Sequence, residues 1–155
     1  MNELGEKKLN RINFTAAQLQ PVPNNLTRDQ LTGIKKLIPF KKYFKKEKHT
    51  TLIHLYKKTK SSDNTYYQKF IETFCGHHLA DTDYAVIQSE MHHETSKAFI
   101  SEASVEVILK YLTYIIWTDK FITGYFSAKV NDYTLYYLID RLETHLVQWG
   151  IEVDH

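Results

Sequence analysis

The chain has 155 residues, 43% hydrophobic and 25% charged, with a formal net charge of +2. That is the size and balance of one globular domain, and it excludes a wholly disordered chain and a collagen-like repeat. No apolar run reaches the roughly 18 residues a membrane span needs, so no membrane partner is expected. The opening stretch Met1–Phe14 has no apolar core of the secretory type. The single cysteine, Cys75, excludes an internal disulfide, so the reducing cytoplasm is the expected location.

Gly (5) and Pro (3) are scarce, which suits helices better than a many-stranded sandwich. Residues 1–25 read as an N-terminal arm, with an extended stretch at Ile12–Phe14 and turn residues Pro21, Pro23, Asn24 and Asn25. Thr27 and Gln30 form a capping box, and Leu31, Ile34 and Leu37 follow at helical spacing. Pro39 ends that helix near Leu37. Phe40–Lys46 is short and amphipathic. His49–Tyr56 is rich in β-branched residues, which allows a strand and one small β-hairpin near 49–58.

Asn64 or Thr65 opens the next helix, with Tyr67, Phe70, Ile71, Phe74 and His78 on one face. Asp81 or Thr82 caps another, burying Tyr84, Ile87 and Met91. Ser101 or Ser104 caps a long helix carrying Val105, Ile108, Leu109, Leu112, Ile115 and Ile116. Asp119–Gly124 is a break, followed by a short helix over 125–130. The last helix runs from about Thr134 to Trp149, with Leu135, Leu138, Ile139, Leu142, Leu146 and Trp149 inward and Gly150 at its C′ position. The expected fold is mainly α, a compact multi-helix single domain over residues 26–155.

Charge is distributed unevenly. Residues 35–60 hold ten lysines against Glu47, and residues 61–106 hold eight acids against Lys69 and Lys97. The basic block interleaves Phe40, Tyr43, Phe44 and Tyr56 with lysine. Lys41, Lys42, Lys45, Lys46, Lys57 and Lys58 are therefore candidates for sequence-independent nucleic-acid contact. Lysine supplies point charges without the bidentate base reading of arginine. The same pattern also describes a solvated helical face whose rings point to the core.

The densest cluster of potential ligands is Cys75, His77, His78, Asp81, His92 and His93. Cys75 and His78 share a face if the helix persists past Gly76, and thiolate with imidazole suits a structural Zn²⁺ joining two helices. Solvated histidines around a buried free cysteine account for the same residues without a metal. A Cys–His nucleophile would need an exposed thiol, which Phe74 and the apolar face beside it argue against. No phosphate-loop, dinucleotide or nucleophile-elbow motif is present, so no enzyme is expected.

The run Leu112–Gly124, with Leu135–Leu142 ending in Arg141-Leu142, resembles an uncharacterised helical domain family of bacteria and phages over about Tyr67–Leu142. Asp81–Tyr84 resembles that family's acidic-aromatic element. Lys120 stands where arginine is usual and Tyr133 where glycine is usual. The resemblance implies a helical fold and carries no activity.

Eleven tyrosines exceed what one core needs, and adjacent Tyr136 and Tyr137 cannot both point inward. Tyrosine is enriched at interfaces because one end is apolar and the other wet. The function expected is thus a non-enzymatic protein-binding module of phage or mobile-element type. Such a module would inhibit a larger host protein, for instance a CRISPR effector nuclease whose basic channel would meet Asp81, Asp83, Glu90 and Glu94. That naming rests on analogy of size and apparent origin.

Overall fold

The computed structural model describes residues 20–45, 65–88 and 96–153. The arm up to residue 19, the strand at His49–Tyr56 and the hairpin near 49–58 lie outside those residues. The described residues are mainly helical, contain no strand, and pack as one compact domain.

The first helix, α1, spans Arg28–Leu37. Its capping box is complete: the Gln30 amide donates to Thr27 Oγ1 at 3.0 Å, and the Thr27 amide donates to Gln30 Oε1 at 3.0 Å. Both bonds satisfy donors that a bare helix start leaves without partners. Pro39 ends α1 as expected, forcing a 3₁₀ turn at Ile38–Phe40 that leads into the four-residue α2, Lys41–Phe44. α3 is Thr65–Gly76. A 3₁₀ turn at Tyr84–Ile87 and a short α4, Ser96–Ser101, precede the long α5, Val105–Asp119. α6 is Tyr125–Asn131 and α7 is Thr134–Gln148.

The helix expected from Asp81 or Thr82 is only that 3₁₀ turn, and Asp83 before it forms no side-chain cap. Ile87 is buried and Tyr84 half-buried, and Met91 lies outside the described residues. Of the two candidate caps for α5, Ser104 is the one used, accepting from the Val107 amide at 3.3 Å. Ser101 instead ends α4, a helix the sequence pattern did not reveal.

α7 is the hub, touching α1, α2, α4, α5 and α6. Its Leu135, Leu138, Ile139, Leu142 and Leu146 are fully buried, and Ile108, Leu112 and Ile115 of α5 meet the same core. Phe44, Phe70 and Phe126 bring α2, α3 and α6 together edge to face, with centroids 5.3 to 6.1 Å apart. Past α7, Gly150 adopts φ +77. The Gly150 amide donates to Val147 O at 2.9 Å and the Ile151 amide to Leu146 O at 2.9 Å, which is a Schellman ending. The Gln20 amide donates to Gln148 O at 2.7 Å, so the chain leading into α1 lies against that end.

Candidate binding surfaces

Of the ligand cluster read from the sequence, His77, His78 and Asp81 are drawn into structural contacts. α3 ends at Gly76, and His78 leaves it with φ +59, so the condition that Cys75 and His78 share a helix face is not met. His77 Nδ1 and His78 Nδ1 lie 2.8 and 3.1 Å from the two oxygens of Asp29. Those two imidazole contacts hold the Asp29 carboxyl below its usual range. Gln30 Nε2 donates to His78 O at 2.9 Å, so the start of α1 grips the end of α3. Cys75 is exposed, where partial burial was expected. Its neighbour Phe74 takes the buried face of the helix.

Asp81 also has an internal partner. Lys110, whose side chain is 7% exposed, donates to Asp81 Oδ2 at 2.6 Å and lies 3.4 Å from Glu106. The Asp81 amide donates to Thr113 Oγ1 at 2.8 Å, and that hydroxyl donates to Leu109 O at 2.7 Å. Burial works to raise the Asp81 pKa, but the Lys110 ammonium and the Asp83 amide outweigh it, and the carboxyl titrates below its usual value. Asp83 is exposed and donates its amide to Asp81 Oδ1 at 3.1 Å. Among the described residues no group of three or more His, Cys, Asp or Glu is placed to hold a metal ion. His92, His93, Glu90 and Glu94 lie outside those residues. A cleft of about 360 Å³ opens between Pro23, Leu26, Gln30, Asp81 and Leu109. Its Gln30 and Asp81 are already engaged as described.

The basic block divides in the same way. Lys41 pairs with Asp140 at 3.2 Å and with the nearly buried Glu143. These two carboxylates overcome the effect of burial and hold its pKa above the usual lysine value. Lys41 thus joins α2 to α7. Lys42 and Lys45 are exposed, while Lys46, Lys57 and Lys58 lie outside the described residues. Tyr136 and Tyr137 are both half-buried, their ring centroids 5.8 Å apart. Lys41 and Lys45 stand 5.7 and 5.8 Å from the Tyr136 centroid, and Lys97 5.0 Å from that of Tyr137. Tyr136 therefore belongs with the lysines and not with Asp81 and Asp83.

Among the described residues, the most exposed large apolar side chain, Phe121, lies in the turn from α5 into α6. Phe121 is 85% and Ile122 56% exposed. The turn is nonetheless fully determined. The Phe121 and Ile122 amides both donate to Thr118 O, at 3.0 and 2.8 Å, and the Tyr125 amide donates to Ile122 O at 3.1 Å. Asp119 anchors it from below: Oδ1 accepts from the Phe126 amide at 2.9 Å and Oδ2 from the Tyr67 hydroxyl at 2.6 Å. Burial, with the Asp119 carboxylate next, pushes the Tyr67 hydroxyl pKa upward, so it remains a proton donor. Gly124 closes the turn at φ +87, a conformation that penalises a side chain.

Rings continue from this tip. Tyr125 meets Tyr114 edge on at 6.0 Å, and Tyr114 meets Tyr84 at 5.2 Å. Lys120 Nζ sits 4.5 Å from the Trp117 ring and Lys129 Nζ 5.4 Å from that of Tyr125. The sequence pattern marked this segment only as a break. The overlooked signal was two adjacent large apolar residues in a helix-to-helix turn, where polar residues are the rule.

Comparison with protein-family models, with curated proteins and with solved structures finds no match to this chain. Among the described residues no helix is long and apolar enough to cross a membrane.

Proposed function

We propose that the protein is a non-enzymatic protein-binding module and that the Phe121–Ile122 tip is its anchor. The observation that carries this reading is the exposure of both side chains on a turn fixed by Asp119 and Gly124. Burying a side chain of this size is worth about 1.5–3 kcal/mol, a gain the isolated chain forgoes. A turn already held by hydrogen bonds loses little further entropy when a partner closes over it. Large apolar anchors beside tyrosine and tryptophan fit the composition of binding hot spots.

The partner we propose is a larger protein with an apolar pocket that receives Phe121. A host nuclease blocked in the anti-CRISPR manner is one such target. The acidic contact expected for it weakens at Asp81, whose charge Lys110 offsets.

The test is an affinity pull-down from host-type lysate, with and without nuclease treatment, using the wild-type chain and a Phe121→Ser/Ile122→Ser variant as baits. One protein recovered stoichiometrically by the wild type in both samples, and at least tenfold less by the variant, is the expected result. Both positions are exposed, so the variant should melt with the wild type. Equal recovery by the two baits would overturn the reading.

A further inference from the structure

A second surface lies on α2. Residues 30–45 contain five lysines and no acid. Only Lys41 among them pairs with a carboxylate in the described residues, and that pair faces α7. Lys42 and Lys45, one residue before and two after Tyr43, are both exposed, and the Lys45 ammonium lies by the Tyr136 ring of α7 at 5.8 Å. The Tyr43 ring is 36% exposed and lies flat on Tyr66, centroids 5.0 Å apart and planes inclined by 13°. Phe40 supports it from the side at 6.3 Å. The Lys42 ammonium stands 5.3 Å from the same ring.

A partly exposed ring held in place by a second ring, with two exposed lysines within two residues of it in the chain, has the components of a single-strand platform. Every base has a π-face that can stack on such a ring, and lysine ammoniums attract the phosphates on either side. Lysine does not discriminate base edges as arginine does, so the contact is tolerant of sequence. A duplex keeps its base faces stacked inside and cannot use Tyr43 in this way.

We propose that this face binds single-stranded nucleic acid, with a base on Tyr43 and phosphates on Lys42 and Lys45. The proposal is independent of the Phe121–Ile122 tip.

The test is fluorescence anisotropy of a labelled oligo-dT of about 20 nucleotides with the full chain, across roughly 50 to 200 mM salt. An oligo-rU arm distinguishes RNA from DNA. Two phosphate contacts predict a log–log salt slope of about −1.4. Lys42→Gln/Lys45→Gln should weaken binding at least tenfold at low salt and flatten the slope. Tyr43→Ala should weaken it about tenfold with the slope kept, because stacking releases no counterion. Where that variant fails to fold, Tyr43→Leu keeps an apolar contact on Tyr66 and removes the stacking ring. Lys97→Gln should bind as the wild type, and so should the Phe121→Ser/Ile122→Ser variant, which separates this surface from the docking tip. Absence of binding at low salt would overturn the proposal. So would tighter binding to the matching duplex. A ring variant that binds as the wild type would do the same, and would reassign the lysines to an acidic protein surface.

Discussion

Gly33 shows how one residue sets a helix crossing. It is buried in α1 against the end of α3. A Cβ built there would overlap the His77 Cβ, lie 2.8 Å from its Cγ and 3.1 Å from Leu79 Cδ1. His77 Cβ is fixed to the backbone and cannot swing away. Helix propensity alone would reward Gly33→Ala by about 1 kcal/mol. Overpacking costs about 1–3 kcal/mol, and the loosened Asp29 contacts add to it, so the net effect should be destabilising. Chemical denaturation of Gly33→Ala checks the sign, and a more stable variant would refute the close approach.

His145 acts at the same scale. Its Nε2 donates to Ala103 O at 2.8 Å, and Arg141 Nε donates to the same carbonyl at 2.9 Å. Burial lowers the His145 pKa below its usual 6.5. The Ala103 bond opposes that shift, and the Arg141 charge adds to it. A lowered value means that the unfolded chain takes up the proton first. The stability tied to neutral His145 is therefore complete above about pH 6.5 and falls as pH drops from there toward the folded-state pKa. His145→Gln keeps a donor without a titratable group. Urea titrations between about pH 7.5 and 5 should show a flatter stability profile for the variant. An unchanged slope would place the dependence elsewhere.

Among the elements, the loop from α3 to the 3₁₀ turn at Tyr84 is held to α5 by the Asp81–Lys110 pair. The Lys110 side chain is 7% exposed and that of Asp81 34%. Breaking a fully buried pair costs about 3–5 kcal/mol, and the partial exposure of Asp81 reduces that to about 2 kcal/mol for Asp81→Asn. Thermal melting measures the loss, and a change below about 0.5 kcal/mol would mean that the Asp81 amide bond to Thr113 holds the loop alone. Asp119 does comparable work between α5, α3 and α6 by accepting from Tyr67 and from the Phe126 amide. Asp81 ties its own loop to α5, and Asp119, at the end of α5, joins α3 and α6. The sequence marks these carboxylates as end-of-element residues, and only the packed chain shows what they join.

At the scale of the molecule, among the described residues the basic and acidic blocks of the sequence each lose a charge to an internal pair. Lys41 of the basic block is neutralised by Asp140 and Glu143 of α7, and Asp81 of the acidic block by Lys110 of α5. Counting charges by position treats every lysine and every carboxylate as available. Packing removes some from the surface, because a charge brought into the interior requires a partner. Two exposed features of the described residues, the Phe121–Ile122 tip and the Tyr43 ring, belong to different elements and are open to separate variants.

The sequence by itself determined the helical class, the capping box at Thr27, the stop at Pro39, the break at Asp119–Gly124 and the apolar face of α7. These are encoded within one turn of chain, through spacing, propensity and cap chemistry. The sequence did not separate a 3₁₀ turn at Tyr84 from a full helix, since four residues of either share the same apolar spacing. Only the tertiary structure decided which polar residues meet. Asp29 with His77 and His78, Asp81 with Lys110, and Lys41 with Glu143 are pairs separated by 29 to 102 positions. No local pattern specifies contacts at such separations. They arise when burial of the shared core brings distant helices together and each charge drawn in with them requires a partner.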